Sequence, residues 1–316
     1  MGAGPLVRTS MAGGNAGLVG KVPAAGRLLY VLAGTLPGRL HRMVRVAHRQ
    51  NGEVLLEIEG DDLEGADLRG AVLSFGDLRG FSLRGAAASA AMLGQCDLTG
   101  CVLDEARLDG ADLSGTLLGE ASMVGVSAQH GRLGGIRAEG ADLRRANLTR
   151  ASLTFARLRR ARLASAVLHG VDFSNADLRE ADFAGADLNR ADFTAANLEG
   201  ANLNGASLAG ATFHDANLRG ARLRGAELLQ TTFESTRLGG AEFREAILAR
   251  TVFARCAELA GTIGLETISL HGWVSIDIFT LRASGEALPR NLLRAAGVTE
   301  EDVAYLRESF EATGAE

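Results

Sequence analysis

The residues in this 316-residue chain that could do chemistry are mostly carboxylates set at a fixed step. Asp172, Asp177, Asp182, Asp187 and Asp192 stand five apart, with Glu199 and Asp215 beyond them. Paired carboxylates can serve as acid and base or hold a hard cation, but only when one acid is set apart from the other by its surroundings. Here the spacing is uniform, so no pair is singled out. The six histidines (His41, His48, His130, His169, His214 and His271) are scattered without the short spacing that a zinc site needs. The abundant glycines open no phosphate-binding loop between a strand and a helix, and no nucleophile elbow is present. Cys96, Cys101 and Cys256 are too few for a disulfide framework and are expected to act as small apolar groups. The expectation is a protein that is not an enzyme, with no catalytic residue, no cofactor and no metal.

The elements that must carry these residues follow from the same step. From Leu63 to Phe253 every fifth residue is a centre, and 35 of the 39 centres are Leu or Phe, the exceptions being Ala88, Met123, Ala128 and Ala138. A small residue, usually Ala, stands two places before each centre, Asp or Asn often lies between them, and Gly often closes the unit. A five-residue period fits neither a helix nor a continuous strand. It fits a short extended piece and a corner, in which the small and large residues point to one side and the Asp or Asn to the other. Four such units close a square of 20 residues, and stacking at an interstrand spacing of about 4.8 Å gives roughly ten coils and a rod of about 48 Å. The fold class is therefore an all-β solenoid.

Units such as Ala141-Asp142-Leu143, Ala186-Asp187-Leu188 and Ala201-Asn202-Leu203-Asn204-Gly205 resemble the pentapeptide-repeat family over roughly 195 of the 316 residues. The resemblance implies a right-handed quadrilateral β-helix. It also implies action by protein binding, and some members bind DNA gyrase and topoisomerase IV by imitating duplex DNA. Charge limits how far that carries over. Duplex DNA shows one negative charge per ~1.7 Å, so a 48 Å imitation would need on the order of 28 uncompensated negatives. Between residues 61 and 256 there are 25 acidic and 22 basic residues. Mimicry is thus expected only along the acidic stretch Asp172, Asp177, Asp182, Asp187, Asp192, Glu199 and Asp215. Arg144, Arg145, Arg157, Arg159, Arg160 and Arg162 form a separate basic patch.

The remaining segments are read as follows. Residues 1–26, rich in Gly and Ala, are expected to be a flexible tail. Residues 27–55 are expected to hold an amphipathic helix, with Thr35 and Pro37 at its start, Leu40, Met43, Val44 and Ala47 on one face, and Arg39, Arg42, Arg45, His48 and Arg49 on the other. Its expected role is to cover the open end of the coil, ahead of contact with a membrane or nucleic acid. The winding is expected over 56–260, starting as early as Leu56 and Ile58, with its weakest coil at 116–140. Phe173, Phe193, Phe213, Phe233 and Phe253 lie 20 apart and should stack in one column. Residues 261–316 read as a helical cap. Pro289 opens one helix that Gly297 ends, and Thr299 with Asp302 starts a second whose Val303, Leu306 and Phe310 would pair two copies into a homodimer.

That tail, with Leu288-Pro289, Leu292-Leu293-Arg294 and Ala296-Gly297-Val298, resembles one found after pentapeptide repeats in multidomain bacterial proteins, where it leads to an effector such as a TIR domain. The functional expectation is a protein-binding scaffold directed at a topoisomerase. The alternatives are a sensor or scaffold arm of a signalling or defence system, or a structural protein without a fixed partner. No direct nucleic-acid contact is expected. No apolar run reaches the ~20 residues of a membrane span, and a cytoplasmic setting is expected.

Overall fold

The computed structural model describes Leu29–Tyr30 and residues 42–284, 287–299, 301–302 and 304–305. The expected tail at 1–26, and Thr35, Pro37, Arg39, Leu40 and His41 of the expected helix, lie outside the described residues. So do Val303, Leu306 and Phe310.

One unit shows how the chain winds. The Ala66 N–H closes a turn on the Leu63 carbonyl at 3.1 Å, the Leu68 N–H reaches the Ala87 carbonyl at 2.7 Å, and the Ala87 N–H returns to Ala66 at 2.9 Å. The Gly70 N–H reaches Ser89 at 3.0 Å. Parallel pairs twenty residues apart then run from Asp67↔Ala87 to Arg222↔Glu242. The centres are buried all along the coil and the smaller inward positions from Ala86 on, with Ala66, Ala71 and Phe81 of the first coil partly buried, so the core is one continuous column dominated by Leu, Phe and Ala.

Every corner carries a left-handed residue. From residue 65 to residue 255 each position divisible by five has positive φ, whether Gly (Gly65, φ 66°) or not (Ala195, φ 56°; Arg160, φ 58°). It is the third residue of a four-residue turn, as a type II turn requires. None of the non-glycine corner residues is β-branched, because a second branch at Cβ worsens the clash that already disfavours this region for L-residues.

Five phenylalanines stack as expected. Phe173, Phe193, Phe213, Phe233 and Phe253 have successive centroid distances of 5.3, 4.8, 5.1 and 5.1 Å and nearly parallel planes. Phe183 and Phe243 meet this column edge-on. In the stretch 116–140 the coil is unbroken. Val126 and Ile136 fill the space that Ala128 and Ala138 leave, and all four are fully buried.

The N-terminal cap is not helical. β1 (Leu29–Tyr30), β2 (Arg42–His48) and β3 (Val54–Glu59) form an antiparallel sheet, and β2 also pairs with β4 (Gly76–Asp77) on the first coil. Val44 and Val46 turn inward. Met43, Val44 and Ala47 suit a helix by spacing, but Val44 and Val46 alternate and are β-branched, and the open edge of the coil supplies a partner for their backbone. The basic face is used within the cap: Arg45 pairs with Glu57, and Arg42 with Asp61 at 2.9 Å. Leu56 and Ile58 belong to β3, so the winding starts at Leu63.

At the other end the coil outlasts the repeat. β5 (Glu227–Leu229), β6 (Thr232–Glu234), β7 (Ile247–Ala249) and β8 (Thr251–Ala254) are followed by β9 (Ser269–Leu270), parallel to β7, and β10 (Val274–Ile276), parallel to β8. The pairs are Glu242↔Ile263, Ile247↔Ser269 and Thr251↔Val274, so the spacing grows from twenty to twenty-one, twenty-two and twenty-three. Helical turns at Leu259–Gly261 and Leu265–Thr267 absorb the extra residues. The helical cap expected from 261 therefore begins only with α1 (Ile278–Ser284) and α2 (Arg290–Ala295). Pro289 precedes α2, and Gly297 (φ 72°) ends it with Gly297 N–H to Arg294 and Val298 N–H to Leu293, the paired bonds of a Schellman motif. Thr299 and Asp302 form the expected capping box, with bonds of 2.8 Å from the Thr299 N–H and 3.1 Å from the Asp302 N–H.

The corner rule predicts opposite outcomes at one residue. Ala195→Gly should stabilise the coil by up to about 1 kcal/mol, and Ala195→Val should destabilise it by about 1–2 kcal/mol, in urea denaturation. Equal stabilities for the two variants would contradict a left-handed corner.

Candidate functional site

Four of the five backbone N–H groups in a unit are satisfied by backbone carbonyls. The fifth, on the residue just after each centre, has no backbone partner, and in many units it takes a side chain instead. Asp172 accepts from the Ser174 N–H at 2.9 Å, Asp177 from Arg179 at 3.3 Å, and Asp182 from Ala184 at 3.2 Å. Asp187 accepts from Asn189 at 3.1 Å and Asp192 from Thr194 at 2.9 Å. Asn147 and Asn197 do the same for Thr149 and Glu199, both at 3.1 Å. When the Asx residue follows the centre, it reaches one coil on: Asn189 accepts from the Ala209 N–H at 2.8 Å.

The acidic candidates are thus turn caps first. The structure does not gather them on one wall. Asp172 and Asp192 share a face, Asp177, Asp182 and Asp187 lie on the other three, and Glu199 and Asp215 stand on corners. Asp177 is gripped by a two-pronged contact from Arg179, at 2.7 and 2.6 Å. Asp215 lies 3.1 Å from His214, whose other ring nitrogen is 3.5 Å from Glu234.

The basic candidates are brought closer together but are partly neutralised. Arg144 pairs with Asp142 at 2.7 Å and Arg162 reaches the same carboxylate at 3.3 Å. Arg159 and Arg160 share Glu180, each at 2.7 Å. Arg145 is a corner residue and Arg157 lies on the face of Asp177. Sequence reasoning missed the capping role of Asp and Asn. The signal was available, since these residues recur in one phase on faces of every charge.

The inward polar groups are also accounted for. Thr116, Thr231 and Thr251 donate to carbonyls one coil back at 2.8, 2.9 and 2.6 Å. Cys96, Cys101 and Cys256 are buried, and burial pushes each thiol up to about 11, away from thiolate chemistry. Among the described residues no group of His, Cys, Asp or Glu is placed to hold a metal ion, and no helix is long and apolar enough to cross a membrane.

With that geometry in view, the comparisons with known proteins are direct. The pentapeptide-repeat profile matches in eight copies across residues 62–119 and 121–225. The chain belongs to the pentapeptide-repeat family. Among solved structures it is similar to HetL, a pentapeptide-repeat protein involved in heterocyst differentiation regulation in the cyanobacterium Nostoc, at 32% identity over 61% of this chain and 84% of that one, with a TM-score of 0.49. A pentapeptide-repeat protein of the Arabidopsis thaliana thylakoid lumen is 34% identical over 29% of this chain and 61% of its own, with a TM-score of 0.24. QnrB1, a plasmid-mediated fluoroquinolone resistance protein, is 18% identical over 64% of this chain and 96% of its own, with a TM-score of 0.28. Among curated proteins there is no match.

The ion pairs predict an acid limit. Hydrogen bonds from Arg79, Arg144 and Arg179 hold Asp77, Asp142 and Asp177 below the usual carboxylate range. Arg69 brings Asp67 to about 2, and Arg160 with Arg159 brings Glu180 to about 2. A carboxylate depressed in the fold stabilises it fully above its unfolded value near 4, and loses that contribution as pH falls through its folded value. The urea midpoint should therefore be level from about pH 8 to about pH 5 and fall between about pH 4 and about pH 2. A midpoint constant down to pH 2 would exclude these pairings.

Proposed function

We propose that this family member is a non-catalytic binding scaffold whose acidic half engages a type II topoisomerase, gyrase or topoisomerase IV, in place of DNA. What supports the reading is an excess of acid in one length of a stiff coil, spread over its four walls. Residues 163–215 carry eight acidic residues and two arginines. The ladder Ser152, Asp172, Asp192, Thr212 and Thr232 runs without a basic residue along the face that backs the phenylalanine stack. A surface that does not yield keeps its charges at fixed separations, which favours recognition of a rigid partner.

Asparagine gives a clean test, because Asn147 and Asn197 already cap turns as aspartate does. The fourfold variant Asp172→Asn, Asp182→Asn, Asp187→Asn and Asp192→Asn should keep its circular dichroism and its unfolding midpoint. It should bind purified gyrase at least about tenfold more weakly and lose any effect on supercoiling. Absence of binding by the unaltered protein at micromolar concentration eliminates the topoisomerase reading.

The same reading includes a homodimer formed at the C-terminal end, where Trp273, Ile278 and Phe279 are more than half exposed. Apolar side chains at this density on a rod end favour self-association. Phe279→Glu should give a monomer in light scattering; an unchanged mass in the variant, or a monomeric parent protein, rules this contact out.

A further inference from the structure

Phe75 and Phe155 occupy the same corner of the coil four turns apart, and both adopt the left-handed conformation, with φ 62° and 58°. Glycine would serve either corner at lower conformational cost. At Phe75 the reason for an aromatic is visible. The ring is half-buried against His48 of β2, with centroids 5.3 Å apart, and the Arg49 N–H donates to the Phe75 carbonyl at 2.8 Å. The ring is the seat on which the N-terminal hairpin docks. Phe155 has no such cover. It is 66% exposed, and no other Phe, Tyr or Trp between Leu63 and Cys256 is exposed.

The surroundings of Phe155 differ from those of Phe75 in charge. It edges an open groove of about 550 Å³ that Glu139, Arg157, Arg159, Asn175, Asp177 and Arg179 complete. Arg179 is held by Asp177 and Arg159 by Glu180. Arg157 is different: it stands between Arg137 of the preceding coil and Asp177 of the next, Asp177 is taken by Arg179, and neither Arg137 nor Arg157 has an ion pair among the described residues. The Arg159 Nε is buried without a hydrogen-bond partner. Two stacked like charges repel each other and gain from a shared anion.

We propose that this groove is a docking site for an acidic segment of a protein partner that carries an aromatic side chain beside its carboxylates. The aromatic ring packs on Phe155 as His48 packs on Phe75, and the carboxylates bridge Arg137 and Arg157. A protein segment suits the groove better than a nucleic acid does. A strand of evenly spaced phosphates would have to pass Glu139 and Asp177, whereas a peptide brings discrete carboxylates together with N–H donors for those two acids. The site uses the sign of charge opposite to the topoisomerase surface and none of the same variants, so either reading can fail alone.

The test uses the full chain and three probes: a random glutamate–tyrosine copolymer, polyglutamate and single-stranded oligo-dT, each followed by fluorescence anisotropy. The copolymer should bind in the micromolar range and at least about fivefold more tightly than polyglutamate. Phe155→Gly, which relaxes the corner and leaves the fold at least as stable, should erase that ratio. The pair Arg137→Gln and Arg157→Gln should weaken both polypeptides about tenfold. No copolymer binding by the unaltered protein at about 100 µM, a tyrosine preference that survives Phe155→Gly, or tighter binding of oligo-dT than of the copolymer would each overturn the assignment.

Discussion

The structure depends on satisfying one backbone N–H per corner. Winding the chain in fives lets four amides in each unit find carbonyls in the turn or the neighbouring coil, and it strands the fifth on the residue after each centre. Such an amide is costly wherever neither the protein nor water accepts it. In many units Asp or Asn at the outward position removes that cost by accepting from the residue two places on, as Asp192 does from Thr194 and Asn147 from Thr149. The recurring acid that suggests chemistry in the sequence therefore serves the turn first. Binding has to use whatever charge and shape remain on the outer walls once the corners are served.

The same constraint explains how the rod ends. A flat stack of parallel strands leaves two edges of unpaired backbone, and the two are closed differently. At the start, β2 lies antiparallel across Gly76–Asp77 and β3 covers β2. At the finish, the last coil gains a residue at successive sides, so that β9 and β10 still pair with the coil beneath while α2 lies over the end with Leu288 and Leu292 buried. Arg219 and the Gly239 N–H both hold Glu258 where this irregular coil begins.

The coil was legible in the sequence because Leu, Phe and Ala hold their phase for 39 units, and side-chain direction in a strand depends on phase alone. The phenylalanine column followed from the same counting, as did the Thr299–Asp302 box and the Pro289–Gly297 helix from local cap chemistry. The ends were less legible. Met43, Val44 and Ala47 are compatible with helical spacing, and only the edge of the first coil, far along the chain at Gly76, decides that they are strand. Ile263 and Val274 sit out of phase with the repeat, so counting could not place them in a coil. The acidic candidates were found as residues but not as a surface. Their five-residue spacing distributes them around four walls, and what each carboxylate touches depends on neighbours twenty residues away.

Regular winding also turns residue number into an address. Adding twenty moves a side chain one storey along the same wall, and adding five moves it to the next wall. Deleting one complete unit from the middle of the coil would leave every inward residue inward, yet rotate the whole downstream exterior by a quarter turn relative to the upstream part. Removing four units shortens the rod and leaves the walls aligned. Length and surface pattern can thus be edited independently, in steps set by the corner.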